Sequence, residues 1–417
     1  MTLHGKIIRL IAFLFHLLLL PSFCISSDWP RWRGPTGDGI STETEWDPMA
    51  LAQGPKTVWK NEVGIGYSNV VINNNHLYTM GRKEKVTIVF CFNTDTGREI
   101  WHYSFALESI EEPQSTPTTE GEFIYALNYS GILVCLKIKN GKAQWVKDLV
   151  KEYKVVRPLY GFSGSPVVEG NLVIVNVNSY GIALEKRTGI LVWASPPVDW
   201  KGSVNGTGSE YATPVIYTQD DKRQSVVFSG NGIYSIDVIN GTPNWFYEWP
   251  LGIHAADPIV FDNKVFISSY ETGDIGCALL DMSSEKPKVL WRNKNMSNHF
   301  STCVLIDGYL YGCHGRAGYG AGVLRCVDAK SGKIMWEKDL GKPVCVSAAA
   351  DKLLLLRTDG VLTVADASPR AYREFSGAQI IEGEKVFGQW WTTPVLCNGR
   401  IYCRNGAGIL VCVDVMK

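Results

Sequence analysis

The chain has 417 residues, 45% of them hydrophobic and 20% charged, which excludes a disordered chain and is enough to bury a large core. Lysine plus arginine and aspartate plus glutamate both number 41, so the net charge is zero, without the basic excess of a nucleic-acid binder or the basic face of an anionic-membrane binder. Forty-one glycines beside 14 tryptophans and 18 tyrosines point to an all-β protein, because glycine serves tight turns and aromatic residues fill pleated surfaces.

In chain order, the first element is a leader. Lys6 and Arg9 precede the apolar run from Leu10 to Leu20, Pro21 ends it, and Ser22, Cys24, Ser26 and Ser27 follow. About eleven residues are too few to cross ~30 Å of hydrocarbon but suit a signal peptide, with cleavage expected between Cys24 and Ser27. An uncleaved anchor and an acylated Cys24 are the alternatives left open, although Phe23 is bulkier than the residue that usually precedes an acylated cysteine. The expected organisation is a leader at 1–26, an N-terminal segment at 27–54 packed on the main domain, and a single repeat domain at 55–417.

From residue 68 onward one unit recurs. A small residue or proline pair opens an apolar run at Ser68-Asn69, Thr116-Pro117, Ser165-Pro166, Thr213-Pro214, Asp257-Pro258, Thr302-Cys303, Ser347-Ala348 and Thr393-Pro394, at steps of roughly 44–49 residues. A turn glycine stands four residues before a tryptophan at Gly97/Trp101, Gly141/Trp145, Gly189/Trp193, Gly241/Trp245 and Gly332/Trp336. Trp291 keeps the phase although Ser284-Glu-Lys-Pro replaces its glycine, and Phe375 stands where the eighth unit should carry its tryptophan. Two further strand-like runs fall between the marks, so each unit supplies four short strands, the blade of a propeller. The expected fold is an all-β, eight-bladed β-propeller of four-stranded antiparallel blades. The last unit has only three strands before the chain ends, and Lys56-Thr-Val-Trp59-Lys offers the fourth, so the N- and C-terminal strands should close the ring.

The Gly-Lys-x-x-x-Trp turn preceded by Asp or Asn, as in Asp328-Ala-Lys-Ser-Gly332-Lys-Ile-Met-Trp336 and Asn140-Gly-Lys-Ala-Gln-Trp145, resembles the PQQ-like (quinoprotein-type) β-propeller repeat family. Its members include PQQ-dependent dehydrogenases and a non-catalytic branch with the outer-membrane assembly lipoprotein BamB; the resemblance covers residues 55–417. Asp28-Trp-Pro-Arg-Trp-Arg-Gly-Pro-Thr-Gly-Asp-Gly-Ile-Ser41 also resembles the segment that precedes the propeller in secreted members, and could cap one face. The resemblance implies that Trp59, Trp101, Trp145, Trp193, Trp245, Trp291 and Trp336 pack between blades. It also implies an envelope location, periplasmic or extracellular, with the outer membrane open through an acylated Cys24.

The family's alcohol dehydrogenases use PQQ with calcium, a catalytic carboxylate and a disulfide between adjacent cysteines. No two cysteines are adjacent here, and no Asp or Glu aligns with a catalytic role. The expected function is therefore a non-catalytic binding or protein-interaction scaffold without a cofactor, with a PQQ- and calcium-dependent or degenerate quinoprotein oxidoreductase as the alternative. Cys91, Cys135, Cys326 and Cys412 share a strand slot with Ala183 and Ser235, which marks a small buried position. No Cys or His spacing marks a metal site, and a bridge such as Cys313–Cys326 stays open. The sequons at Asn128, Asn205, Asn240 and Asn295 are assigned no glycan.

Residues just before each first strand should line the mouth of the central channel: Tyr67 and Ser68, Ser115, Phe162 and Ser163, Tyr211, His254, His299 and Phe300, Trp390 and Trp391. Such a funnel could take a peptide, glycan or small ligand, or simply pack as a wall. The expected partner is another exported or envelope protein, or such a ligand, and not nucleic acid.

Overall fold

The computed structural model describes residues 28–108, 111–197, 210–271, 273–315, 322–380 and 390–417. The leader with Cys24, and Asn205, lie outside them. Among the described residues the chain forms eight sheets, each built around antiparallel strands that follow one another in sequence. Five of the hairpins joining a blade's first strand to its second place two residues at positive φ: Asn74-Asn75, Asp220-Asp221, Asp262-Asn263, Asp307-Gly308 and Asn398-Gly399. These are the residue types that reach the left-handed region at low cost, and a turn of that hand matches the twist of the flanking strands.

The first blade starts at Val71–Asn73 and the seventh ends at Glu374–Gln379. The eighth consists of Val395–Cys397, Arg400–Arg404 and Ile409–Asp414, with Lys56–Glu62 as its outer strand. That pairing runs antiparallel from Lys56 opposite Asp414 to Glu62 opposite Ile409. The N- and C-terminal strands therefore close the ring. The closure also corrects the position of the divergent unit: Phe375 lies in the outer strand of the seventh blade, because the eighth takes its tryptophan, Trp59, from the other end of the chain.

The glycine and tryptophan of the repeat meet between neighbouring blades. A Cβ added to Gly97 would sit 2.7 Å from Trp59, and one on Gly141 only 2.5 Å from Trp101. Both glycines are left-handed (φ 67° and 68°), so the turn admits no side chain on either count. The Trp59 indole donates to Thr94 O at 2.7 Å, and Trp101, Trp145, Trp193, Trp291 and Trp336 likewise reach a carbonyl on the next blade's turn. Trp245 faces the turn that lost its glycine, and its Nε1 has no partner.

Beside each of four such tryptophans, a cysteine sits between a tyrosine and the tryptophan across the strands, as Cys91 does between Tyr78 and Trp101. The same row recurs at Cys135, Cys326 and Cys412. All ten described cysteines are buried and none of them forms a disulfide, Cys313 and Cys326 included, and burial pushes the Cys91 thiol up to about 12.

Candidate functional site

The small residue opening each unit tightens the ring around its axis. Asn69 N donates to Thr116 Oγ1 (3.0 Å), Thr116 N to Ser165 Oγ (3.0 Å), and Ser165 N to Thr213 Oγ1 (3.1 Å). Thr213 N then donates to Asp257 Oδ1 (2.7 Å) and Asp257 N to Thr302 Oγ1 (2.9 Å). Five blade-to-blade steps thus use the one side chain that can accept at that position, which explains why the mark is Ser, Thr, Asn or Asp.

Residues 28–41 cross one end of the channel. Trp29 pairs with Ile72 of the first blade, Pro30 O accepts from Thr119 of the second, and Ile40–Ser41 adds a parallel strand to Val344–Ala349 of the seventh. The segment holds its own shape: a Cβ added to Gly34, at φ 81°, would sit 2.9 Å from the Trp29 ring, and Arg33 folds back on Gly37 O and Asp38 O. Arg33 also donates to Cys303 O at 2.8 Å and stands 4.0 Å from the Asp257 carboxylate, both side chains 4% exposed. Trp32 Nε1 donates to Asp257 Oδ2 at 2.6 Å. Burial raises the Asp257 carboxyl above its ordinary range, and Arg33 opposes that shift. Arg33→Ala should therefore leave a buried carboxylate short of its cation and cost about 3 kcal/mol in denaturant unfolding. A loss below about 1 kcal/mol would mean that the segment is not integral to the ring.

Above Trp32 lies a cavity of about 310 Å³. Trp32, Thr213 and Asp257 separate it from a much smaller space of about 30 Å³ on the far side, so they form its floor. Of the residues expected at the mouth, Tyr67, Ser163, Tyr211, His299, Phe300 and Trp391 line this cavity. Tyr67 stacks on Trp391 with ring centroids 4.7 Å apart, and Phe300 lies 4.9 Å from Trp391 and 3.7 Å from His299.

The structure does not bring Ser68, Ser115, Phe162, His254 or Trp390 to the cavity. Ser68 is fully buried, with its Oγ accepting from Met80 N, and Ser115 is equally buried. Phe162 packs in the core against Gly131, Trp390 belongs to the core of the last two blades, and His254 stacks flat on Phe228 at 4.3 Å. Neighbouring residues in extended chain point to opposite sides, so Tyr67-Ser68, Phe162-Ser163 and Trp390-Trp391 each give one residue to the cavity and one to the interior, whereas His299 and Phe300 both line it. Gln114, Thr116, Tyr160, Ser165, Ile253 and Ala255 complete the wall above the floor of Trp32, Thr213 and Asp257; Thr116 and Ser165 are legible in the sequence as repeat marks but not as lining.

A second surface differs from its equivalents. The outer strand of the third blade, Leu191–Ala194, lies within Gly189-Ile-Leu-Val-Trp-Ala-Ser-Pro-Pro197, which carries no charge. The outer strands of the other seven blades each carry at least one charged residue. Ile190 is 64% exposed and Val192 46%. Natural sheet edges are normally guarded by charge, so an apolar edge is open to a further strand.

A closed ring of quinoprotein-type repeats with a floored aromatic cavity defines a PQQ-like β-propeller. The chain belongs to the family whose model, described as outer membrane protein assembly factor BamB, matches residues 87–318, more than half of its length. It is 22% identical over 299 residues to the outer membrane protein assembly factor BamB of Yersinia pestis, covering 70% of each chain. Its identity to the protein of that name in Moranella endobia (strain PCIT) is 19% over 326 residues, covering 72% of this chain and 74% of the relative. Among solved structures, BamB from Moraxella catarrhalis superposes with a TM-score of 0.62 at 16% identity, over 86% of this chain and 97% of that one. Quinohemoprotein alcohol dehydrogenase from Comamonas testosteroni gives 0.70 at 13% identity, over 93% and 80%. Likenesses at these identities establish the fold alone.

Proposed function

We propose that this protein is exported and works in the cell envelope as a non-catalytic scaffold that holds another envelope protein. The observation that carries this reading is the uncharged, apolar outer edge of the third blade, which can pair its backbone with a partner strand. The family match and the leader-like N-terminus support the location.

The fold likeness to a quinohemoprotein dehydrogenase keeps the quinoprotein oxidoreductase as the second reading. The cavity chemistry speaks against it. PQQ is a tricarboxylate, and the described lining contains neither lysine nor arginine. The one carboxylate of the lining, Asp257, is engaged by Trp32, Thr213 and the nearby Arg33, which leaves it poorly placed to act as a base or a calcium ligand.

Capture from the native envelope fraction tests the scaffold reading. The wild-type protein should retain a partner that the double variant Ile190→Lys, Val192→Lys loses, while its unfolding midpoint is unchanged because both side chains face solvent. Equal capture by the variant, or none by the wild type, rules the edge out.

A further inference from the structure

The cavity inside the ring is a site separate from the blade edge, and its chemistry is specific enough to name a ligand class. We propose that it binds an uncharged saccharide.

Shape narrows the choice first. The cavity is floored by Trp32 and Asp257, so a polypeptide cannot thread through it, and a volume of about 310 Å³ lies at the small end of ligand sites. The occupant is a small molecule or the end of a glycan.

Charge narrows it further. Without lysine or arginine in the described lining, nothing compensates the desolvation of a carboxylate or phosphate. Asp257 already has its cation in Arg33 and its hydrogen bonds from Trp32 and Thr213, so a ligand ammonium finds no unbalanced anion. A neutral molecule carries neither penalty.

The lining is then matched by one kind of neutral molecule. Aromatic faces come from two groups, Tyr67–Trp391–Phe300 and the Tyr160–Tyr211 pair with centroids 6.0 Å apart. Such faces stack well on the C–H faces of a pyranose ring. Thr116 Oγ1 and Ser165 Oγ each accept a backbone N–H, and among the described residues their own hydrogens have no acceptor. A hydrocarbon or plain aromatic ligand would leave these donors desolvated and unpaired, whereas sugar hydroxyl oxygens accept from them.

Isothermal calorimetry on the full chain with maltose, cellobiose and N,N′-diacetylchitobiose tests the assignment, with glucuronic acid and glucosamine measured against glucose as charged controls. At least one neutral disaccharide should give saturable heat, and each charged sugar should bind at least about tenfold more weakly than glucose. Trp391→Ala should weaken the disaccharide about tenfold or more. Tyr160→Ala, at a residue 50% exposed and therefore dispensable to the fold, should do the same. The Ile190→Lys, Val192→Lys variant should bind sugar normally while losing its envelope partner, which separates the two sites. No heat with any of the three disaccharides, equal binding of the charged sugars, or unaltered affinity in both aromatic variants overturns the proposal.

Discussion

Removing residues 55–60 is expected to destabilise the whole ring by about 5 kcal/mol or more, far beyond the effect of trimming an exposed hairpin tip such as Lys83–Lys85. Those residues form most of the outer strand of the eighth blade, and their loss strips the pairing from Asp414 to Val411. Trp59 goes with them. It is 8% exposed, donates to Thr94 O, and is the surface on which Gly97 of the first blade packs. Deleting one large buried aromatic alone costs about 3–5 kcal/mol. The strand adds its ladder of hydrogen bonds and leaves an open edge in their place. Chemical unfolding of the deletion and of Trp59→Ala checks this. The single substitution should account for more than half of the loss, and a deletion no worse than a loop trim would show that the ring does not depend on its clasp.

Glu210→Gln is expected to stabilise the protein by roughly 5 kcal/mol above pH 8 and to change little near pH 4, at 1.36 kcal/mol for each pH unit between the unfolded and folded values. Glu210 is 1% exposed, neither of its oxygens has a hydrogen-bond partner among the described residues, and desolvation raises its carboxyl from 4.5 to about 8. Between those values the folded state holds a proton that the unfolded state has released, so stability falls as pH rises through that window. Its backbone bridges to His254, which burial moves the opposite way, from 6.5 to about 3. There the unfolded state binds the extra proton, and stability falls as pH drops from 6.5 to about 3. From pH 4.5 to 6.5 the two slopes cancel. Denaturation midpoints should therefore show a plateau in that range with a decline on either side, and Glu210→Gln should abolish the alkaline decline. A midpoint that rises from pH 6.5 to 8 contradicts the assignment.

The repeat was legible because its marks are imposed by geometry that recurs at most blades. The left-handed glycine packs under the preceding blade's tryptophan, and the small polar residue accepts the preceding blade's N–H. Both demands leave few residue types, so they print a period into the sequence. The site was half legible. Phe162 and Ser163 are neighbours in an extended segment, as are Trp390 and Trp391, and composition does not say which of two adjacent residues faces the axis. Asp257 read as a repeat mark and Trp32 as part of an unexplained segment; their meeting is a contact across 225 positions that no local pattern encodes. The third blade's edge needed no structure to be seen as uncharged, but only the sheet order shows that this strand is outermost.

A binding propeller and a quinoprotein enzyme part over PQQ itself. Calorimetric titration of the purified full chain with PQQ in the presence of calcium separates the two. The lining predicts no saturable heat and no shift in unfolding midpoint, because the quinone's three carboxylates would meet no cation there. Saturable binding at one equivalent, accompanied by PQQ-dependent oxidation of an alcohol, would contradict it.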